Sequence, residues 1–150
     1  MAMTYPEMVP SLKDSLSKLL PYYPVKLAYL FGSAAAGNAT PLSDIDVALV
    51  LSDDQVDPGS FLSLEMQISD EISRNCELSE VDVRIINNAP LMFQGEVITH
   101  GILLYSSDED FRVEFETSTR SAYFDFLPAA TTIRQAYFDR LSERGFNGKS

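Results

Sequence analysis

The chain has 150 residues, 45% hydrophobic and 22% charged, with 22 acidic against 11 basic side chains and a net charge of −11. That length suits a single domain able to bury a core without cross-links, and the lone cysteine, Cys76, excludes an intrachain disulfide and suits a reducing compartment. Such an acidic excess argues against a nucleic-acid binder, whose affinity comes from cations set against phosphates, and favours a cation or a basic protein partner.

The opening MAMTYPEMVPSLKDSL has no basic segment followed by an apolar run, and no apolar stretch nears the ~20 residues of a membrane span. The expectation is a soluble, cytoplasmic chain forming one domain over 1–150, with no membrane contact. Val9, Leu12, Leu16, Leu19 and Leu20 recur at helical spacing. Pro21 and Pro24 close this first helix within segment 1–24. Val25 to Phe31 is β-prone and unbroken, so it reads as a buried strand. The segment GSAAAG, from Gly32 to Gly37, follows as a turn into a short helix.

From Asp44 to Leu51 the sequence alternates. Asp44, Asp46, Ala48 and Val50 share one face of a strand, and Ile45, Val47, Leu49 and Leu51 the other. Phe61, Leu64, Ile68 and Ile72 mark a second amphipathic helix. A third strand is expected over Val81 to Ile86, with Asp82 and Arg84 on one face. Pro90 opens a helix over Leu91 to Thr99, Gly101 stops it, and Ile102 to Tyr105 form a fourth strand. Segment 106–150 reads as two helices separated at Pro128, the second carrying Ile133, Ala136, Tyr137 and Leu141. Of its aromatics, Phe111, Phe115 and Phe126 are assigned to the core, and Tyr123, Phe124 and Phe138 are left open. The order of elements gives an α/β architecture: an α/β core over 25–105 with a small central sheet, flanked by helices.

Three features carry chemistry. Gly32 and Ser33 sit where a strand turns into a helix; Gly32 admits close backbone approach and Ser33 can cap the helix, which makes a phosphate-binding N-terminus. Asp44 and Asp46 project two carboxylates from one strand face, a donor set suited to a hard cation such as Mg²⁺ bridged to substrate phosphates. Asp82 would join them if its strand lies alongside, and three converging carboxylates fit a two-metal phosphoryl or nucleotidyl transfer site. Taken singly, each has a plainer account: a ligand-free turn, a solvated strand face, a surface carboxylate. His100 reads as a helix-end residue, Cys76 as packing, and Arg84 as a surface ion-pair partner.

Gly32-Ser33, then Ser43-Asp44-Ile45-Asp46 on the next strand, then Asp82 on a third, resembles the DNA polymerase β-like nucleotidyltransferase superfamily, and the small size with YFDFLP near the C-terminus resembles its minimal nucleotidyltransferase antitoxins. The resemblance implies that superfamily's fold, with a small mixed sheet and a helical C-terminus. It implies an antitoxin that transfers AMP from ATP onto a tyrosine of a HEPN-domain ribonuclease toxin, its substrate and complex partner. On that resemblance Gly32, Ser33 and Ser43 hold the nucleotide, Asp44 and Asp46 bind two Mg²⁺ ions, and Asp82 completes the metal site and assists deprotonation of the acceptor. One departure stands out: many relatives carry a basic residue where this chain has Ala36, and Arg84 is the residue that could compensate. The alternatives are an antitoxin acting by contact alone and a small-molecule, aminoglycoside-type nucleotidyltransferase; the short segment after Tyr105 leaves little room for the acceptor pocket of the latter.

Overall fold

A computed structural model describes residues 5–32, 45–52, 57–76 and 80–144. Helix α1 (Tyr5–Leu19) forms because Met8, Leu12, Leu16 and Leu19 fall on one face, and all four are buried. Pro21 cannot extend the ladder, so the chain tightens into a 3₁₀ turn over Leu20–Tyr22 and enters β1 (Val25–Phe31). The short helix expected after Gly32 lies outside the described residues.

Strand β2 (Ile45–Leu51) pairs antiparallel with β1. Helix α2 (Phe61–Cys76) then crosses over and delivers β3 (Val81–Ile85) parallel to β2, the geometry a helical crossover permits. Helix α3 (Leu91–His100) leads to β4 (Ile102–Ser106), antiparallel to β1 on its other side. The sheet is therefore mixed, with strand order β3-β2-β1-β4. The alternation read along β2 holds. Ile45, Val47, Leu49 and Leu51 face α1 and α2 in one cluster, whereas Ala48 and Val50 join Tyr29, Val97 and Ile98 on the opposite face.

The C-terminal segment differs from its reading in two respects. The break expected at Pro128 is absent: α4 is one helix over Glu109–Arg144 with Pro128 inside it. A proline removes a single ladder hydrogen bond and crowds the carbonyl four residues back, and helix formers on both sides carry the helix through. Phe126, assigned to the core, is 37% exposed, whereas Tyr123 is 3% exposed. Tyr123 is buried because α3 offers it a notch: a Cβ on Gly95 would lie 2.1 Å from the Tyr123 ring, so only glycine lets the two helices approach this closely.

Candidate active site

The C-terminal end of β1 and the N-terminal end of β2 meet at one edge of the sheet, where Phe31 is the register partner of Asp46. Asp46 is in turn the register partner of Asp82 on β3. Paired residues on neighbouring strands point to the same side, so both carboxylates project from the sheet face covered by α3 and α4. The adjacency of strands on which the sequence reading depended is present.

Gly32 follows β1 directly, at φ 79°. This left-handed conformation favours glycine. A Cβ there would stand 2.6 Å from Oδ2 of Asp46. The missing side chain thus makes room for the Asp46 carboxylate, in addition to any ligand that approaches the backbone. Ser33, Ser43 and Asp44 lie outside the described residues, so of the six predicted site residues the structure brings together Gly32, Asp46 and Asp82.

Two carboxylates at paired positions repel each other. Arg84, one strand repeat beyond Asp82, offsets this: its Nε lies 3.2 Å from Oδ2 of Asp82. Both side chains are substantially exposed, 61% and 48%, and an exposed pair contributes only about 0–1 kcal/mol. The ion pair expected of Arg84 is therefore made with a site residue, and it is weak enough to exchange for a ligand. Among the described residues no group of three or more His, Cys, Asp or Glu side chains could hold a metal ion. Asp46 and Asp82 do present the hard oxygen donors that Mg²⁺ takes, and Asp44, by sequence, lies two residues before Asp46.

Two open cavities flank these residues and share Phe93 of α3. One, of about 600 Å³, is bordered by Asp82, Arg84, Pro90 and Phe93. The other, of about 450 Å³, is bordered by Phe31, Gly32, Phe93, Val97 and His100. Phe31 and Phe93 meet edge to face with ring centroids 5.4 Å apart, which fixes α3 against the site end of β1. Glu96 accepts a hydrogen bond from the Tyr123 hydroxyl, and this bond raises the phenol's pKa. Sequence reasoning missed Phe93 and Glu96. Their signal was the helical spacing of Phe93, Val97 and His100, which reads equally well as core.

His100 is exposed at the end of α3, 3.9 Å from Glu96, as a helix-end residue should be. Cys76 is buried, its Sγ 3.2 Å from the Ser15 hydroxyl, and so acts in packing. No described helix is long and apolar enough to cross a membrane.

Residues 14–110 match the family described as Polymerase beta, Nucleotidyltransferase. A toxin–antitoxin complex with AMP-PNP contains a chain of similar fold, at TM-score 0.61 and 26% identity, covering 87% of this chain and 98% of that one. A mutant MntA–HpeT toxin–antitoxin complex contains another, at TM-score 0.56 and 27% identity, covering 86% and 93%. The complex of the tri-AMPylated HEPN toxin of Shewanella oneidensis with MNT antitoxin contains a chain of similar fold, at TM-score 0.60 and 24% identity, covering 90% and 99%. A comparison with curated proteins finds no match.

Proposed function

Because this chain belongs to the polymerase beta nucleotidyltransferase family, we propose that it is the antitoxin of a HEPN-domain toxin and silences it by transferring AMP from ATP to a toxin tyrosine. The observation that carries the reading is the row across the sheet, Asp46 beside Asp82 in register with Gly32 against Asp46. Support for the nucleotide and the partner comes from the similar chain in the toxin–antitoxin complex with AMP-PNP.

In this mechanism Gly32, Ser33 and Ser43 hold the triphosphate. Asp44, Asp46 and Asp82 would hold two Mg²⁺ ions, which when bound neutralise charge on the transferred phosphate. The phenolic oxygen of the acceptor forms a bond to the α-phosphorus, the bond from that phosphorus to the bridging oxygen breaks, and pyrophosphate leaves. Asp82 assists in removing the phenolic proton. Arg84 exchanges its contact with Asp82 for the triphosphate, supplying the cation that Ala36 does not.

The test is co-expression with the product of the neighbouring gene, followed by that product's intact mass. Gain of one or more AMP units beside the wild type, and none beside Asp44→Ala or Asp46→Ala, is the expected result. An unmodified neighbour whose toxicity is still suppressed would favour neutralisation by contact alone. Turnover with aminoglycosides and no partner protein would replace both.

A further inference from the structure

Helix α4 has two halves with different surroundings. In the first, contacts advance along β1 towards the catalytic edge. Lys26 lies 3.4 Å from Asp108 and 5.8 Å from the Phe111 ring centroid. Tyr29 donates a 2.7 Å hydrogen bond to Glu116. Tyr123 then meets Gly95 and Glu96 of α3, and Glu96 itself lines the cavity that Gly32 borders. The helix therefore runs towards the end of the sheet that carries Gly32 and Asp46, on the face to which Asp46 and Asp82 project. At 1.5 Å per residue, the remaining 124–144 extend roughly 30 Å past that edge.

The apolar stripe does not stop where the body does. Phe115, Thr119 and Tyr123 face the body, and at the same helical spacing the sequence continues with Phe126, Ala130, Ile133, Tyr137 and Leu141. Phe126 is 37% and Ile133 63% exposed. No residue of 124–140 whose burial is described is buried. The charge also changes sign. From residue 128 onward the sequence has Arg134, Arg140, Arg144 and Lys149 against Asp139 and Glu143, whereas the whole chain carries −11.

We infer that the distal half of α4 is the arm on which the acceptor protein docks, presenting an apolar stripe bordered by arginines to a surface with an apolar groove and carboxylates at its rim. The occupant is assigned by position: a macromolecule seated on this stripe stands at the edge where Gly32, Asp46 and Asp82 meet, as the protein bearing the acceptor hydroxyl must. This rests on the proposed function in taking the acceptor to be the HEPN toxin.

The experiment measures toxin binding by calorimetry and AMP transfer by mass, on the full chain and on Ile133→Glu and Arg134→Glu. Both sites are exposed, so Tm and the affinity for ATP should hold. For Ile133→Glu the toxin Kd and the KM for toxin are expected to rise at least about tenfold. Arg134→Glu should lose less, and its loss should shrink at high salt. Wild-type toxin affinity in Ile133→Glu overturns the inference. So does a switch from dimer to monomer with toxin affinity intact, which would give the stripe to a second copy. Toxin binding without AMP transfer by the wild type defeats the transfer reading while the arm is still judged by Kd; a wild type that does not bind the toxin defeats both.

Discussion

The two faces of the sheet are built on different terms. Towards α1 and α2 the cluster is large and aliphatic, with Leu12, Leu16, Leu49, Ile68 and Ile72 fully buried, and hydrogen bonds from Tyr23 to Glu71 and from the Ile85 amide to Glu65 lie around it. Towards α3 and α4 the apolar cluster is smaller, and α4 is tied to β1 by Tyr29 to Glu116 and to α3 by Tyr123 to Glu96, with Arg112 holding Glu116 from within α4. An aliphatic core requires volume and tolerates rearrangement, whereas a site requires positions. The larger apolar core thus lies on one side and the candidate site's carboxylates on the other, where these hydrogen bonds tie α4 to β1 and to α3. A cavity of about 540 Å³ between α1 and α2, bordered by Asp14, Lys18 and Tyr23, belongs to the first face and is remote from the carboxylates.

If this division is right, substitutions on one face should leave the other intact. Asp46→Asn should lower AMP transfer by roughly 10³-fold, about 4 kcal/mol of transition-state stabilisation, with the thermal transition unchanged; a comparable fall in Tm would mean that the carboxylate supports the fold. Leu16→Ala should cost about 3 kcal/mol in a urea titration while the transfer rate per folded molecule stays at the wild-type value. Gly32→Ala should breach the division, because the left-handed conformation costs a side-chain residue about 1–2 kcal/mol and the new Cβ displaces Asp46; both stability and turnover should fall, and retention of either would contradict the contact. Tyr29→Phe should cost about 1 kcal/mol of stability, since Glu116 keeps Arg112 as a partner. The smallest effect belongs to Asp108, whose pKa is held below its usual 3.8, first by the Phe111 amide and then by Lys26. A depressed carboxylate pKa stabilises the fold above the unfolded value and loses that contribution as pH falls through the folded one. Asp108→Asn should therefore lower stability slightly at neutral pH and flatten the acid limb, the two proteins converging as pH falls below the usual 3.8, as a series of thermal melts would record.

Much of the apolar face was legible because its signal is periodic. Leu12 and Leu16, Ile68 and Ile72, and the alternation along β2 each fix which side of an element is buried. At the site, Gly32, Asp46 and Asp82 were legible as residues. Their convergence was conditional on β3 lying beside β2, which a single sequence does not state. The directed bonds left no local trace, since Tyr29 and Glu116, or Gly95 and Tyr123, are far apart in the chain and each residue type is at home elsewhere. Pro128 misled because its cost is local and the helix on either side outweighs it. Phe126 misled because its stripe continues beyond the body that the stripe helps to cover.

Strand β3 lies at the end of the strand order, and its pattern alternates buried Val81, Val83 and Ile85 with exposed Asp82 and Arg84. Helix α2 already meets two of its backbone groups, the Val81 carbonyl through the Ser69 hydroxyl and the Ile85 amide through Glu65, and charges along an outer strand discourage neighbouring molecules from adding on at the rest. Asp82 thus guards the strand against such growth at the same position for which the proposed function gives it a role in the chemistry. A relative that gave up catalysis would still be under pressure to keep a charge there, and Asp82→Val with Arg84→Val should yield a chain that folds but assembles edge to edge into sheets.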